Sequence, residues 1–140
     1  MRALGVDFGE KRIGLAVSDP TGTLASPLET VTRRRGKRPP WRRMGELARA
    51  HEVGQAVVGL PLGLDGEENE WCAEVRRLGS ELERRLEIPV VYVDERMTSV
   101  LAEQAIRSIG LKKSDREEKG RIDAAAAALI LQSWLDGAAP

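Results

Sequence analysis

Residues 3–18 carry two strand patterns separated by a single tight turn, and that spacing constrains the fold more than any other feature. Ala3-Leu4-Gly5-Val6-Asp7-Phe8-Gly9 is a short apolar strand signal. Gly9-Glu10-Lys11 turns the chain into a second, Arg12-Ile13-Gly14-Leu15-Ala16-Val17-Ser18. So short a connection joins antiparallel strands. Asp19-Pro20-Thr21-Gly22 has the residue order of a type I turn, with Asp first, Pro second and Gly fourth. It predicts a third antiparallel strand around Thr23–Val31.

The chain then changes character. Pro39-Pro40 breaks it and opens a helix over Trp41–His51. Gln55-Ala56-Val57-Val58-Gly59-Leu60 is nearly continuous apolar sequence, the mark of a strand buried on both faces. A loop follows over Leu62–Gly66, then a helix from about Glu68 to Leu86, with Val75, Leu78, Leu82 and Leu86 at helical spacing. Pro89–Val93 reads as a fifth strand, ending at Asp94-Glu95-Arg96. Thr98 or Ser99 caps a helix to about Ile109, Gly110–Gly120 reads as a charged mobile linker, and a last helix spans Ile122–Leu135. The order predicts an α/β domain with a mixed five-stranded sheet, an antiparallel meander followed by parallel strands, flanked by helices.

A chain of 140 residues suits one domain with a real hydrophobic core, expected to cover residues 1–140. No apolar run reaches membrane-spanning length and no signal-peptide pattern opens the chain, which predicts a soluble, cytoplasmic protein without a membrane partner. One cysteine, Cys72, excludes an internal disulfide, and with the one histidine, His51, it cannot build a zinc site. Both read as helix residues without chemistry. Any metal must be held by oxygen, which points to Mg2+ or Mn2+.

The net charge of zero hides a block. Seven basic residues fall in 31–45 with no acid, namely Arg33, Arg34, Arg35, Lys37, Arg38, Arg42 and Arg43, leaving 15 basic against 22 acidic side chains elsewhere. A compact basic block on a neutral chain suggests contact with a polyanion, and nucleic acid is the reading preferred over a merely solvated segment. Trp41 beside it is either a base-stacking platform or the packing residue of its helix. Trp71 and Trp134 read as packing.

Asp7 is the chemically telling residue. A carboxylate in a strand of small and apolar residues is costly to bury without a partner, and a bound divalent cation is one. Gly5, Gly9 and Gly14 leave room for a ligand or a second backbone. Functional groups in such sheets gather at the carboxyl ends of the parallel strands, which makes Asp94-Glu95 a second candidate. Asp123, Ala127, Ile130 and Trp134 share one helical face, and Ile130 and Trp134 mark it as core-facing, so Asp123 is an inward acid. The small side chains of 124–128 let that helix approach the sheet closely. Carboxylates from distant segments, without a histidine or cysteine helper, point to metal-assisted phosphoryl chemistry. Two divalent ions about 3.5–4 Å apart activate water and stabilise the leaving oxygen in such sites.

Taken together, Gly5–Gly9 with Ile13–Val17, then Val58-Gly59-Leu60-Pro61-Leu62 with Asp65-Gly66, then Asp94-Glu95-Arg96-Met97-Thr98-Ser99, then Ile122-Asp123 with its alanines, resemble the YqgF/RuvX family in order and over nearly the whole chain. The resemblance implies a ribonuclease H-like fold and a nuclease of precursor 16S rRNA in ribosome maturation, with Holliday junction resolution as the alternative. It implies catalytic and metal-holding roles for Asp7, Glu95 and Asp123. Between Asp94 and Glu95 it favours Glu95, leaving Asp94 to hold Arg96 or cap the next helix.

The expected activity is hydrolytic phosphodiester cleavage. Lys11 and Arg96 lie close enough in sequence to the acids to steady the scissile phosphate, and the 33–43 block would track the nucleic-acid backbone. Precursor rRNA is the favoured partner and branched DNA the alternative, on a monomer or a homodimer. An actin-like or sugar-kinase-like ATPase also begins with an Asp-bearing strand and a glycine hairpin, but clamps nucleotide between two domains. A non-catalytic RNA-binding module is the remaining rival.

Overall fold

The computed structural model describes residues 2–34, 37–97 and 116–137. Five strands form one sheet: β1 (Arg2–Phe8), β2 (Arg12–Ser18), β3 (Ala25–Thr32), β4 (Val53–Leu60) and β5 (Val90–Asp94). Their order is β3-β2-β1-β4-β5. The first two pairings, β1 with β2 and β2 with β3, are antiparallel, and β1 with β4 and β4 with β5 are parallel. The mixed sheet follows from the two kinds of connection. The tight turns reverse the chain, whereas the helices α1 (Trp41–Ala50) and α2 (Glu70–Leu86) carry it back to start each later strand in the same direction. At the first of those turns Gly9 donates its N–H to the Arg12 carbonyl at 2.9 Å, and at the second Gly22 donates to Asp19 at 3.0 Å.

Strand alternation divides the core in two. Leu4, Val6 and Phe8 of β1, Ile13 and Leu15 of β2, and Ala56, Val58 and Leu60 of β4 pack against Met44 and Leu47 of α1 and Val75, Leu78 and Leu82 of α2. The opposite face is built from small residues. Ala3, Ala16, Val57 and Val93 meet Ala126, Ala127, Ile130 and Leu131 of the last helix, α3 (Arg116–Leu135). Each large side chain buried here contributes about 1.5–3 kcal/mol, and among the described residues more of them lie on the α1/α2 face. The α3 face gives up bulk for closeness. A β-carbon on Gly5 would lie 2.7 Å from the Ala127 carbonyl oxygen, which the absent side chain permits.

Two boundaries differ from the sequence reading. The linker expected over Gly110–Gly120 is not one throughout, because α3 already begins at Arg116. Arg116, Glu117, Glu118 and Lys119 are strong helix formers, and the penalty of about 1 kcal/mol at Gly120 is outweighed by the packed face that follows. Helix α2 starts at Glu70, two residues later than expected, because the Asn69 side chain accepts the Cys72 N–H at 2.9 Å and caps it there. The helix expected over 98–109 lies outside the described residues.

Candidate active site

The three candidate acids arrive on the α3 face by three different routes. Asp7 is one residue from the end of β1, on the alternation that also places Ala3 and Gly5 toward α3. Its cross-strand partner is Gly14. Asp123 sits on α3 itself, with its backbone carbonyl over Gly14. Asp7 and Asp123, from opposite ends of the chain, therefore line one recess of about 290 Å3, together with Glu10, Arg12 and Trp71. Glu95 follows β5 in a short 3-10 turn, Glu95–Met97. Val91 and Val93 of β5 face α3, and Glu95 continues that alternation. Its carboxylate lies over Gly59 of β4, where a β-carbon would come within 2.6 Å of Oε1. All three acids are buried.

Asp94 points the other way, with Val90 and Tyr92, toward the α1/α2 face. Its carboxylate accepts from the Arg96 guanidinium at 2.7 and 3.1 Å and from the Arg96 backbone N–H at 2.9 Å. The side-chain bond to Arg96 holds the Asp94 carboxyl below the ordinary aspartate range. Arg96 is thus engaged with Asp94 and lies against Gly66 of the loop after β4.

Arg12 is a site residue that sequence reasoning missed. Its Nε donates to Asp123 Oδ2 at 2.6 Å across 111 residues of sequence. The signal was present in the strand alternation, since Arg12, Gly14 and Ala16 share the α3 face with Asp7. By sequence alone Arg12 reads only as the start of a strand. Arg12 and Asp123 also line a smaller recess of about 220 Å3 beside the first, at whose rim Lys11 is exposed.

The oxygen donors suit a hard cation, and they stand on one face of the sheet. Among the described residues, however, no three acidic, histidine or cysteine side chains group closely enough to cage a cation as they stand.

The basic block leaves from the rim of this site. The Arg33 N–H donates to the Lys11 carbonyl at 2.8 Å, which ties the end of β3 to the β1–β2 turn. Arg34, Lys37, Arg38 and Arg42 are exposed. Arg43 is also exposed but grips Glu29 through two bonds, at 2.6 and 2.9 Å. Arg33 departs from the solvent-facing expectation. The residue is only 9% exposed, and Nε and Nη1 are buried without a hydrogen-bond partner. Burial lowers its pKa. Arg35 lies outside the described residues. Trp41 is buried in the core with the Arg85 guanidinium 5.9 Å from its ring, so it packs its helix. Trp71 packs on the core too, but it also walls the Asp7 recess.

The sequence profile of the family described as "RuvX: Holliday junction resolvase" matches residues 1–137. The chain belongs to the RuvX family. Curated relatives agree. A protein of Anaeromyxobacter dehalogenans (strain 2CP-C), named "Putative pre-16S rRNA nuclease", is 46% identical over 140 residues, covering 100% of both chains. One of the same name from Maridesulfovibrio salexigens is 41% identical over 135 residues, covering 96% of this chain and 98% of the relative. Among solved structures, T. thermophilus RuvC in complex with Holliday junction substrate superposes with a TM-score of 0.58 at 20% identity, over 99% of this chain and 98% of that one. The fowlpox virus resolvase, in complex with Holliday junction DNA, gives 0.54 at 12% identity, over 97% of each chain. At such identities the superpositions speak for the fold alone, and that fold is ribonuclease H-like. RuvX membership makes the chain a hydrolase of phosphodiester bonds, a nuclease. No helix among the described residues is long and apolar enough to cross a membrane.

Proposed function

We propose that this chain is a divalent-cation-dependent nuclease of the cytoplasm that matures the 5′ end of precursor 16S rRNA. The observation that carries the reading is the recess shared by Asp7 and Asp123, with Glu95 on the same face and an exposed basic segment leaving its rim. The RNA assignment rests on the names of the relatives that align over the full chain.

Asp7, Glu95 and Asp123 would hold the cation, Mg2+ or Mn2+, as two ions in the full site. When bound, it supplies a more acidic attacking water and stabilises charge on the leaving oxygen. The chain does the rest. Lys11 at the rim, with the exposed Arg34, Lys37, Arg38 and Arg42, binds the phosphate backbone and orients it across the recess. Arg96 is held by Asp94, whose side chain faces away from Glu95, so it orders the turn after β5 rather than serving the recess. Trp71 walls the recess and limits water around Asp7.

The deciding experiment incubates precursor rRNA and a synthetic four-way junction in parallel, with each metal, using wild type and Asp7→Asn. The variant is expected to lose at least about a hundredfold in rate, the scale of removing one group that stabilises the transition state. Unchanged cleavage by Asp7→Asn, or none by the wild type, would sink the reading. The family description favours junction resolution as the second reading. Paired cuts across a junction need two active sites and hence a dimer, so a strictly monomeric protein on its substrate removes it.

A further inference from the structure

We infer that Arg12 is an internal counter-cation for Asp123, and that a divalent ion enters the site by displacing its guanidinium. Arg12 thereby sets the metal affinity. The inference rests on the cation reading proposed above and adds a residue to it.

The pair is lopsided. The Asp123 side chain is 6% exposed and the Arg12 side chain 33%. A carboxylate that deep requires a compensating charge, and losing it outright is costly. A guanidinium one-third in water can return to water at much lower cost. Arg12 is therefore the member that can leave and Asp123 the member that must be served.

The backbones bear this out. Asp123 cannot withdraw, because its carbonyl is seated over Gly14 at the closest approach of α3 to the sheet. The Arg12 main chain is equally held. Its carbonyl accepts the Gly9 N–H at 2.9 Å, and it pairs with Thr32 across the β2–β3 ladder. The Arg12 side chain has both freedom and somewhere to go. It lines the recess of about 290 Å3 shared with Asp7 and the adjoining one of about 220 Å3 shared with Lys11. A cation held by both Asp7 and Asp123 would draw on the same carboxylate whose Oδ2 accepts from Arg12 Nε at 2.6 Å. A divalent ion carries twice the charge of the guanidinium, so the exchange can run forward. Without the ion, Arg12 offsets charge on the buried acid.

The test titrates Mn2+ alone into the full chain and follows the free-ion signal by electron paramagnetic resonance, for wild type, Arg12→Gln and Arg12→Lys. With the competitor gone, Arg12→Gln should bind Mn2+ about fivefold tighter, the scale of one partly exposed ion pair. Arg12→Lys, which keeps the charge, should fall between the two. In metal-free buffer Arg12→Gln should melt below wild type, and saturating Mn2+ should close that gap. A brace that merely positions Asp123 predicts the opposite sign. Equal or weaker Mn2+ binding by Arg12→Gln therefore overturns the inference and leaves the cation reading standing. No Mn2+ binding by either protein overturns both. A second measurement needs no substituted fold. In wild type, the Arg12 Nε–H resonance, assigned by its loss in Arg12→Lys, should move to the position of a solvated guanidinium on Mg2+ saturation. A resonance that stays in place overturns the inference as well.

Discussion

A β-carbon on Gly14 would overlap the backbone carbonyl of Asp123. Gly14 is also the cross-strand partner of Asp7. One glycine thus sets how near two acids from opposite ends of the chain can come, because helix α3 rests directly on strand backbone at that point. Bulk elsewhere along the helix could be absorbed by side-chain rotation. Here the opposing atoms are main chain and cannot turn aside.

Gly14→Ala should therefore lift α3 from the sheet. The expected cost is about 1–3 kcal/mol in urea unfolding, as for overpacking generally. Cleavage should fall further than stability does, measured at a temperature where the variant remains folded. A variant with wild-type stability and rate would mean that the helix does not need this contact.

Gly59→Ala tests the same principle with a different outcome. An added β-carbon would meet Ile130 Cδ1 at 2.5 Å and Glu95 Oε1 at 2.6 Å, both at the ends of flexible side chains. They can give way, so the loss of stability should be smaller than for Gly14→Ala. Glu95 moves when it yields, so cleavage should drop about tenfold or more, a loss of at least ~1.4 kcal/mol at the transition state. Full activity in Gly59→Ala would show that the Glu95 position over Gly59 is not the working one.

Asp94 and Glu95 should separate cleanly. Glu95→Gln is expected to lose cleavage on the scale of Asp7→Asn, while Asp94→Asn stays within a few-fold of wild type. Stability should report the reverse. The Asp94 carboxyl is held below its ordinary value by the Arg96 side chain, so its ionised form favours the folded state. That contribution is fully present above the unfolded aspartate value of about 3.9 and is lost as pH falls through the lower folded value. The difference between wild type and Asp94→Asn in urea unfolding should hold from pH 7 to about 5 and vanish in stronger acid. A difference that grows on acidification would contradict the Asp94–Arg96 pairing.

The basic segment should divide in the same manner. Arg33 is buried with two unpartnered nitrogens, so Arg33→Met should be neutral or stabilising, by about 1 kcal/mol. It should leave the salt dependence of RNA binding unchanged. Alanine at Arg34, Lys37, Arg38 or Arg42 should reduce the slope of log affinity against log salt by roughly 0.7 each, the single-strand value per phosphate contact. Filter binding across a salt series checks both, and a slope change in Arg33→Met would place that guanidinium on the nucleic acid.

Strands, helices and their order were legible in the sequence because hydrophobic periodicity is a local property. Two short apolar stretches joined by a glycine turn marked β1 and β2, the apolar run marked β4, and leucine spacing marked α2. The same locality let Ala124–Ala128 announce a closely approaching helix, and Asp123 an inward acid. Where a segment's neighbours decide, the sequence was silent. The charged residues 116–120 read as linker and are helix, because the packing that stabilises them comes later in the chain. Arg33 read as one of seven equal cations and is buried, because the end of β3 is tied to the β1–β2 turn. The Arg12–Asp123 pair joins residues 111 apart. It exists only because the strand order sets β2 beside β1 and α3 crosses both. Chemistry was written in the residue types, an oxygen-only donor set and a basic run. Which acids meet, and which cation already holds one of them, was decided by the faces that a twofold strand repeat presents once the sheet has formed.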